Sequence, residues 1–203
     1  MAYLAAGKRR GVDPAVTRER VLAAAEELIL SGEFATATVA ELAERANVAR
    51  ATVFSRFGSK LGVLEELAVR CSGGPTMRAI RAAVAEPDPV VALLSLVDAG
   101  CEHWEVQGHI LLTLKAIAEL EPGAIELIDA QREDQRSSFE RIARALHREG
   151  RLRGGDVRQA TAGLHLVTSV ESFMELRRNA GLSLAATKRV LTRTALGLFE
   201  PDA

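Results

Sequence analysis

Residues 38–60 read TVAELAERANVARATVFSRFGSK and contain two helical patterns separated by three residues. Thr38 is followed by apolar residues at helical spacing and by Glu41 three positions on, which predicts a capping box at the start of a short helix. The second pattern covers about residues 50–57, and a longer amphipathic pattern at about 14–30 precedes both. Two short helices joined by a tight turn, with a supporting helix before them, predict a helix-turn-helix domain.

The second short helix has two different faces. On a helical wheel, Val53, Phe54 and Phe57 fall within about 100° of one another, which predicts that they face a small core. The opposite arc carries Ala51, Thr52, Ser55 and Arg56. Because this arc is polar, short and free of acidic residues, it could approach base edges in a major groove of DNA.

The charge of this region differs from that of the whole chain. The 203 residues carry a formal net charge of −1, yet residues 45–64 hold four basic residues and no acidic one. Lys60, at the predicted start of the next helix, is placed to meet a phosphate group. The basic cluster Lys8-Arg9-Arg10 could add a minor-groove contact or be a disordered tail.

Residues 17–67, TRERVLAAAEELILSGEFATATVAELAERANVARATVFSRFGSKLGVLEEL, resemble the DNA-binding domain of the tetracycline-repressor (TetR) family. The family pattern has an alanine-rich first helix, a Gly-aromatic-x-x-Thr-Thr entry to the second, and a Ser-x-Gly-Thr-Leu-Tyr-x-His-Phe-x-Ser-Lys segment. Here the two motifs read GEFATATV at 32–39 and ARATVFSRFGSK at 49–60.

The resemblance implies roles for individual residues. Thr38 would contact a phosphate, Arg50, Thr52 and Ser55 would read or approach bases, and Arg56 and Lys60 would hold the DNA backbone. The DNA-contact set that the resemblance implies is Thr38, Arg50, Ala51, Thr52, Phe54, Ser55, Arg56 and Lys60.

Three residues depart from the family pattern. Ala49 replaces a serine, so the recognition helix should lack a side-chain N-cap, which is typically worth about 1 kcal/mol. Ala51 replaces a glycine and stiffens the helix while enlarging its groove-facing surface. Phe54 replaces a tyrosine and lacks the hydroxyl that commonly meets phosphate in the family.

The composition predicts an all-α chain of about nine helices. Nearly half of the residues are apolar, but aromatic residues make up only 4%. The expected domains are a flexible basic arm at 1–12, the helix-turn-helix domain at 13–60, and a larger effector-binding and dimerisation domain at 61–203, with 61–72 as a connecting helix. The larger domain shows helical segments at about 76–85, 89–107, 109–121, 123–149, 156–179 and 183–199.

The C-terminal helices predict a dimer surface. One stripe along the segment 156–179 contains Ala160, Gly163, Leu164, Val167, Val170 and Met174, and a second contains Ala162, Leu166, Ser169, Phe173 and Leu176. A helix that is apolar on two faces needs two partners, its own core and another surface. The resemblance implies the same, a homodimer through residues about 156–199. The alternative is a helix buried within a monomer.

The resemblance also implies a small-molecule pocket in the larger domain. The candidate residues for an apolar or amphipathic effector are Cys71, Trp104, Glu119, His165, Thr168 and Phe173. Cys101 and His103 are too isolated to indicate zinc, and no metal or cofactor is expected. With two cysteines and no apolar stretch of membrane-spanning length, a reduced cytoplasmic protein is expected.

The expected function is a ligand-responsive transcriptional regulator. The resemblance implies a dimer that binds a palindromic operator, represses by obstructing polymerase, and leaves when an effector moves the connecting helix. One alternative is a helix-turn-helix regulator or architectural DNA-binding protein without an effector. Another is a small helical enzyme using His103, Glu105 or Glu119, which no paired carboxylates or nucleophile motif supports.

Overall fold

The computed structural model describes residues 13–118 and 125–198, and within them the chain forms helices and turns without a β-strand. The all-α expectation is confirmed. Ten α-helices lie in these ranges, with a π-helical turn, Glu175–Asn179, after the ninth. They are α1 Pro14–Leu30, α2 Val39–Arg45, α3 Arg50–Phe57, α4 Lys60–Gly73, α5 Pro75–Ala85, α6 Pro89–Ala118, α7 Ile125–Arg148, α8 Val157–Thr168, α9 Val170–Met174 and α10 Leu184–Leu196.

The chain divides into two compact units between Glu66 and Leu67, a position inside α4. In the first unit α1 packs on α2 and α2 packs on α3. Its buried apolar side chains come from every helix and from the loop before α2. They include Val21, Leu22, Leu28, Phe34, Leu42, Ala43, Val53, Phe57, Val63 and Leu64. This small core fixes the relative positions of α2 and α3.

Local hydrogen bonds begin the helices of the first unit. The Asp13 side chain accepts from the Ala15 N–H at the start of α1. The capping box of Thr38 and Glu41 is present at α2, as predicted. Ala49 precedes α3 without a side-chain cap, as its methyl group requires. The Ser59 hydroxyl accepts from the Gly62 N–H and caps α4, 3.0 Å away.

In the second unit, α6 packs against α5, α7, α8, α9 and α10. The core is built from leucine, valine, alanine and phenylalanine side chains of these helices. Its most buried large members are Leu93, Phe139, Leu146, Leu164 and Phe173.

The prediction that Gly108 separates two helices is wrong, because α6 runs through it without interruption. Gly108 instead allows another helix to approach closely. A Cβ atom at this position would lie 2.5 Å from Met174 Cε and 3.3 Å from Val170 Cγ2. The glycine therefore serves tertiary packing and does not end the helix.

The prediction of one helix over 156–179 is also wrong. Ser169 has φ −69° and ψ 151°, an extended conformation that ends α8 at Thr168. Its hydroxyl then accepts from the Ser172 N–H and begins α9. Serine side chains compete for backbone groups in this way and favour helix starts over helix interiors.

Candidate DNA-binding surface

The turn between α2 and α3 depends on one left-handed residue. Asn47 has φ +51°, a conformation that asparagine tolerates better than most residues. The Asn47 N–H donates to the Glu44 carbonyl at 3.0 Å, and the Val48 N–H donates to the Ala43 carbonyl at 3.0 Å. These bonds satisfy the end of α2 and direct the chain into α3 across the four residues 46–49.

The inner face of α3 is narrower than the sequence predicted. Val53 is fully buried and Phe57 is 9% exposed, as expected for residues four positions apart on one face. Phe54 is 42% exposed, so its assignment to the core is wrong. Since α3 has only eight residues and packs mainly on α2, one pair of side chains fills the space available.

Phe54 belongs to the exposed face, where it contacts an arginine. The Arg50 guanidinium carbon lies 5.2 Å from the centre of the Phe54 ring, within the range of a cation–π interaction. This contact holds a long cationic side chain along the helix. Phe54 therefore orders Arg50 on the exposed side of α3.

The remaining predicted residues of α3 form one exposed polar surface. Ala51, Ser55 and Arg56 are exposed and Thr52 is half-buried. The Ser55 hydroxyl donates to the Thr52 carbonyl at 3.1 Å. Among the described residues, neither Arg50 nor Arg56 forms an ion pair with a carboxylate. Two cations thus stand on this surface without local neutralisation.

The surface of α2 contrasts with that of α3. A groove of about 360 Å³ lies beside α2. Its lining residues are Leu28, Glu33, Thr36, Ala37, Glu41, Glu44 and Arg45. Three carboxylates against one guanidinium give this groove a negative charge, so a polyanion would be repelled there and attracted to α3.

Thr38 is engaged within the protein. Its hydroxyl accepts from the Glu41 N–H at 3.2 Å and donates to the Glu41 carboxylate at 2.9 Å. That carboxylate also accepts from the Thr38 N–H at 2.6 Å. The bonds from the Thr38 backbone and hydroxyl hold the pKa of Glu41 below its ordinary value. A phosphate contact by the Thr38 hydroxyl would compete with this capping box.

Lys60 lies differently from the other predicted contact residues. Its ammonium donates to three backbone carbonyls, those of Phe34, Ala35 and Ala37, at 2.8, 3.0 and 2.9 Å. Its Nζ atom also lies 5.0 Å from the centre of the Phe34 ring. The sequence predicted a phosphate contact, but in this structure all three N–H groups point into the first unit.

Three of the residues predicted for an effector are engaged inside the second unit. Trp104 Nε1 donates to the Thr168 carbonyl at 2.8 Å, and the buried Thr168 hydroxyl donates to the Leu164 carbonyl at 2.8 Å. Cys71 is buried, and its Sγ donates to Gln107 Oε1 at 2.9 Å. The structure therefore brings Trp104 and Thr168 together and leaves Cys71 in a separate contact.

The other predicted effector residues are scattered. Phe173 is 1% exposed and belongs to the core. His165 is exposed and meets the edge of Phe139, with ring centres 6.0 Å apart. Glu119 and the basic cluster Lys8-Arg9-Arg10 lie outside the described residues.

A basic groove on α7 was not predicted from the sequence. Its volume is about 710 Å³, and none of the predicted effector residues lines it. The lining residues are Ser137, Glu140, Arg141, Arg144, His147, Arg148 and Val157. Their spacing of three and four positions along α7 is the signal that could have indicated one helix face.

Two of the three residues named for catalysis, His103 and Glu105, make contacts within the protein, and the third, Glu119, lies outside the described residues. His103 is 3% exposed, and its Nδ1 lies 2.9 Å from the Thr76 hydroxyl. Burial lowers the pKa of His103 to about 4. Glu105 forms an ion pair with Arg177 at 2.6 Å, and bonds from that guanidinium hold the pKa of Glu105 below its ordinary value.

The described ranges contain no cluster of three or more His, Cys, Asp or Glu side chains arranged to hold a metal ion. Within the same ranges, no helix has both the length and the apolar character needed to cross a membrane.

A supporting helix, a four-residue connection between α2 and α3, and an exposed cationic face on α3 define the class of helix-turn-helix DNA-binding proteins. Residues 21–67 match the family described as bacterial regulatory proteins, tetR family. This segment is therefore similar to the DNA-binding part of the TetR family, and the described residues share the all-helical fold of solved TetR family structures.

Individual relatives agree with this assignment. An uncharacterised HTH-type transcriptional regulator, YvkB of Bacillus subtilis, is 41% identical over 51 residues, which are 25% of this chain and 27% of that protein. The match to this relative thus covers about a quarter of each protein.

Two solved structures share the fold over most of their length. The TetR family regulator PfmR of Thermus thermophilus has a TM-score of 0.71 at 22% identity, over 89% of this chain and 95% of that one. A putative transcriptional regulator of Saccharomonospora viridis, in complex with choline, has a TM-score of 0.72 at 18% identity, over 92% and 100%. At these identities the likeness is one of fold.

Proposed function

We propose that this protein is a homodimeric transcriptional repressor that binds a palindromic DNA operator and leaves it when a small molecule binds the second unit. One observation carries the DNA-binding part of the proposal. The exposed face of α3 presents Arg50 and Arg56 without a carboxylate partner among the described residues, beside the small polar side chains of Thr52 and Ser55.

The proposed contacts follow from side-chain chemistry. Arg50 and Arg56 can donate to phosphate oxygens or to the acceptor edge of guanine. Ala51, Thr52 and Ser55 are small enough to let α3 approach the floor of the major groove. Phe54 orders Arg50 through its ring, and Thr38 could add a phosphate contact where its capping box allows.

Selection of DNA from a random pool by the purified protein would test DNA binding directly. The selected sequence can then be bound at several salt concentrations by fluorescence anisotropy. Removing one phosphate contact should reduce the slope of log K against log salt by about 0.9. Arg56→Ala should weaken binding and reduce this slope if Arg56 meets phosphate.

Arg158→Ala is the matched control, because Arg158 is an exposed arginine of the second unit. Its removal changes the net charge equally and should leave binding nearly unchanged. Equal binding by wild type and Arg56→Ala at every salt concentration would contradict the assignment of α3 as the DNA-reading helix.

The dimer proposal is supported by exposed apolar side chains on α8 and α10. Leu166 is 66% exposed, Leu196 40% and Val190 39%. These helices pack on each other within one chain, and Leu198 contacts Gly163 there. Exposed leucine and valine side chains on two adjacent helices favour a twofold four-helix interface.

Sedimentation velocity can test this interface. Leu166→Glu should shift the dimer towards monomer, because a buried unpaired carboxylate is costly. Val106→Glu is the control, because Val106 on α6 is 62% exposed, nearly as much as Leu166. If both variants sediment like wild type, the dimer does not form through α8.

The effector part of the proposal is supported by the family and by the choline complex of a structural neighbour. An effector must bind the DNA-free state more tightly than the operator-bound state, or the equilibrium does not shift. We propose that the effector acts through α4, the helix within which the chain divides into its two units. Release of fluorescent operator DNA against a panel of small amphipathic molecules tests this step.

A specific observation favours a regulator without an effector. The Trp104 N–H, the Thr168 hydroxyl and the Cys71 thiol each donate to a group of the protein. Three of the polar groups predicted to line a pocket are therefore already hydrogen-bonded within the protein. Operator affinity that stays constant across the whole panel would support this second candidate.

A further inference from the structure

We propose that Lys60 is a positioning residue, which fixes the helix-turn-helix from inside the protein and makes no DNA phosphate contact. This inference rests on the proposed DNA-binding function for its consequence at the operator, but its structural part is independent of DNA. It differs from the phosphate contact that the sequence and the family resemblance imply.

The Lys60 ammonium is surrounded by groups of the protein that bind a cation. An ammonium has three N–H donors, and three carbonyl oxygens accept them at 2.8–3.0 Å. The face of the Phe34 ring completes the surroundings at 5.0 Å from Nζ, and Phe34 is itself 1% exposed. Bonds from a charged donor are stronger than neutral ones, so this set is hard to replace.

The accepting carbonyls belong to the connection between two helices. The segment 33–37 connects α1 to α2, and its carbonyls lie outside a regular helix. Lys60 follows them by 23 to 26 residues. The ammonium therefore links the segment just before α2 to the first residue of α4, just after α3. The helix-turn-helix is held at both of its ends by one side chain.

The corner at which Lys60 stands is tightly packed. The Ser59 N–H donates to the Phe57 carbonyl at 2.7 Å, and the Ser59 hydroxyl accepts from the Gly62 N–H. A Cβ atom at Gly62 would lie 1.9 Å from the Phe57 carbonyl oxygen. The backbone at the start of α4 has little freedom, so turning Lys60 outward to a phosphate would break three bonds without relieving any strain.

Two substitutions of Lys60 distinguish a positioning role inside the protein from a contact with a DNA phosphate. Lys60→Met keeps the length of the side chain but removes its charge and donors. Lys60→Arg keeps the charge and binds phosphate well, but a planar guanidinium cannot direct three N–H groups at three converging carbonyls. Arg45→Met is the control, because Arg45 forms an exposed ion pair with Glu33 of the same segment at 3.0 Å. Exposed pairs of this kind contribute little stability.

Thermal unfolding without DNA, followed by circular dichroism, gives the first test. Lys60→Met and Lys60→Arg should both unfold roughly 4–8 °C below wild type, while Arg45→Met stays close to it. Wild-type melting temperatures for both Lys60 variants would overturn the proposal, whether or not the protein binds DNA.

The salt dependence of operator binding gives the second test. Lys60→Arg should bind more weakly than wild type by the same factor at every salt concentration, with an unchanged slope. Arg56→Ala should instead reduce the slope, by about 0.9 for each phosphate contact that it removes. The proposal is overturned if Lys60→Arg binds like wild type or if Lys60→Met lowers the slope as Arg56→Ala does. Absence of any operator binding by wild type would refute the proposed function and leave the melting test in force.

Discussion

The first unit and the core of the second unit use polar groups in different ways. In the first unit, most side-chain bonds that shape the helix-turn-helix join residues two to four positions apart, as Thr38 and Glu41 do. In the second unit the defining bonds join distant residues, such as Trp104 and Thr168, 64 positions apart. The bonds of the first unit can therefore be predicted from a sequence motif, whereas those of the second unit depend on how its helices pack together.

Lys60 departs from this local pattern in the first unit, since its bonds reach back 23 to 26 residues, and the Arg18 guanidinium does so too by donating to Glu66. Lys60 is also the residue for which our proposed role differs most from the role that the sequence predicted. Polar side chains whose partners lie far away in sequence are thus the ones for which motif-based roles are least secure, in either unit. Substitutions in both units can test where contacts between sequence neighbours determine stability and where contacts between distant residues determine it.

The largest effect is expected at Gly62, in the tight corner of the first unit. Gly62→Ala should destabilise by about 3 kcal/mol, because its Cβ would meet a backbone carbonyl oxygen that cannot rotate away. Gly73→Ala is the matched control in the same helix, where a Cβ meets nothing within 4 Å. Urea unfolding of both variants measures the difference. Equal stability of the two would show that the corner is not rigid.

The next effect concerns His103 in the second unit. Its pKa is lowered to about 4 by burial, so between pH 6.5 and 4 the unfolded chain binds a proton that the folded chain does not. Stability should be highest above pH 6.5 and fall towards pH 4, with this histidine contributing about 3 kcal/mol of the loss.

The comparison with His103→Asn isolates this contribution, since the other titrating groups are common to both proteins. The difference in unfolding free energy between wild type and variant, measured from pH 7 to 4, should change in favour of the variant. A difference independent of pH would mean that folding does not change the pKa of His103.

A smaller effect is expected from Trp104→Phe. The indole N–H donates to the Thr168 carbonyl, which the break before α9 leaves at the end of α8. Leaving this buried carbonyl without its donor should cost about 2 kcal/mol in chemical unfolding. Val106→Ala, on the exposed side of the same helix, should cost much less. A loss equal to that control would mean that water replaces the indole at the break.

The smallest effect, and a stabilising one, is expected at the start of α3. Ala49→Ser supplies the missing N-cap and should add about 1 kcal/mol. Ala51→Ser makes the same chemical change inside the helix and should give no gain. If Ala49→Ser is no more stable than Ala51→Ser, then local capping rules do not govern this helix.

The sequence predicted the local features of the first unit well. The capping box at Thr38 and the uncapped start at Ala49 were both found as expected. Each depends on residues within three positions, whose distance is set by helix geometry alone. The burial of Phe54 was predicted wrongly because a helical wheel gives directions but not the width of the neighbouring helix.

Features of the second unit were harder to predict. Gly108 was taken for a helix break, but it is a close contact with Met174, 66 positions later. Ser169 was placed inside a helix, although its hydroxyl begins a new one. The basic groove on α7 was missed because charged residues at helical spacing are common on solvent-exposed faces.

The amino-acid sequence by itself determined that the described part of this protein is helical, that residues 21–67 resemble the helix-turn-helix of the TetR family, and that Val53 and Phe57 face inward from α3. These follow from periodicity and from contacts within a few residues. The tertiary structure alone decided that Lys60 is bound inside the first unit and that Trp104 and Thr168 are bound to each other. The reason is physical: a donor takes whichever acceptors the folded chain brings within 3 Å, and sequence spacing does not specify acceptors more than one helix away.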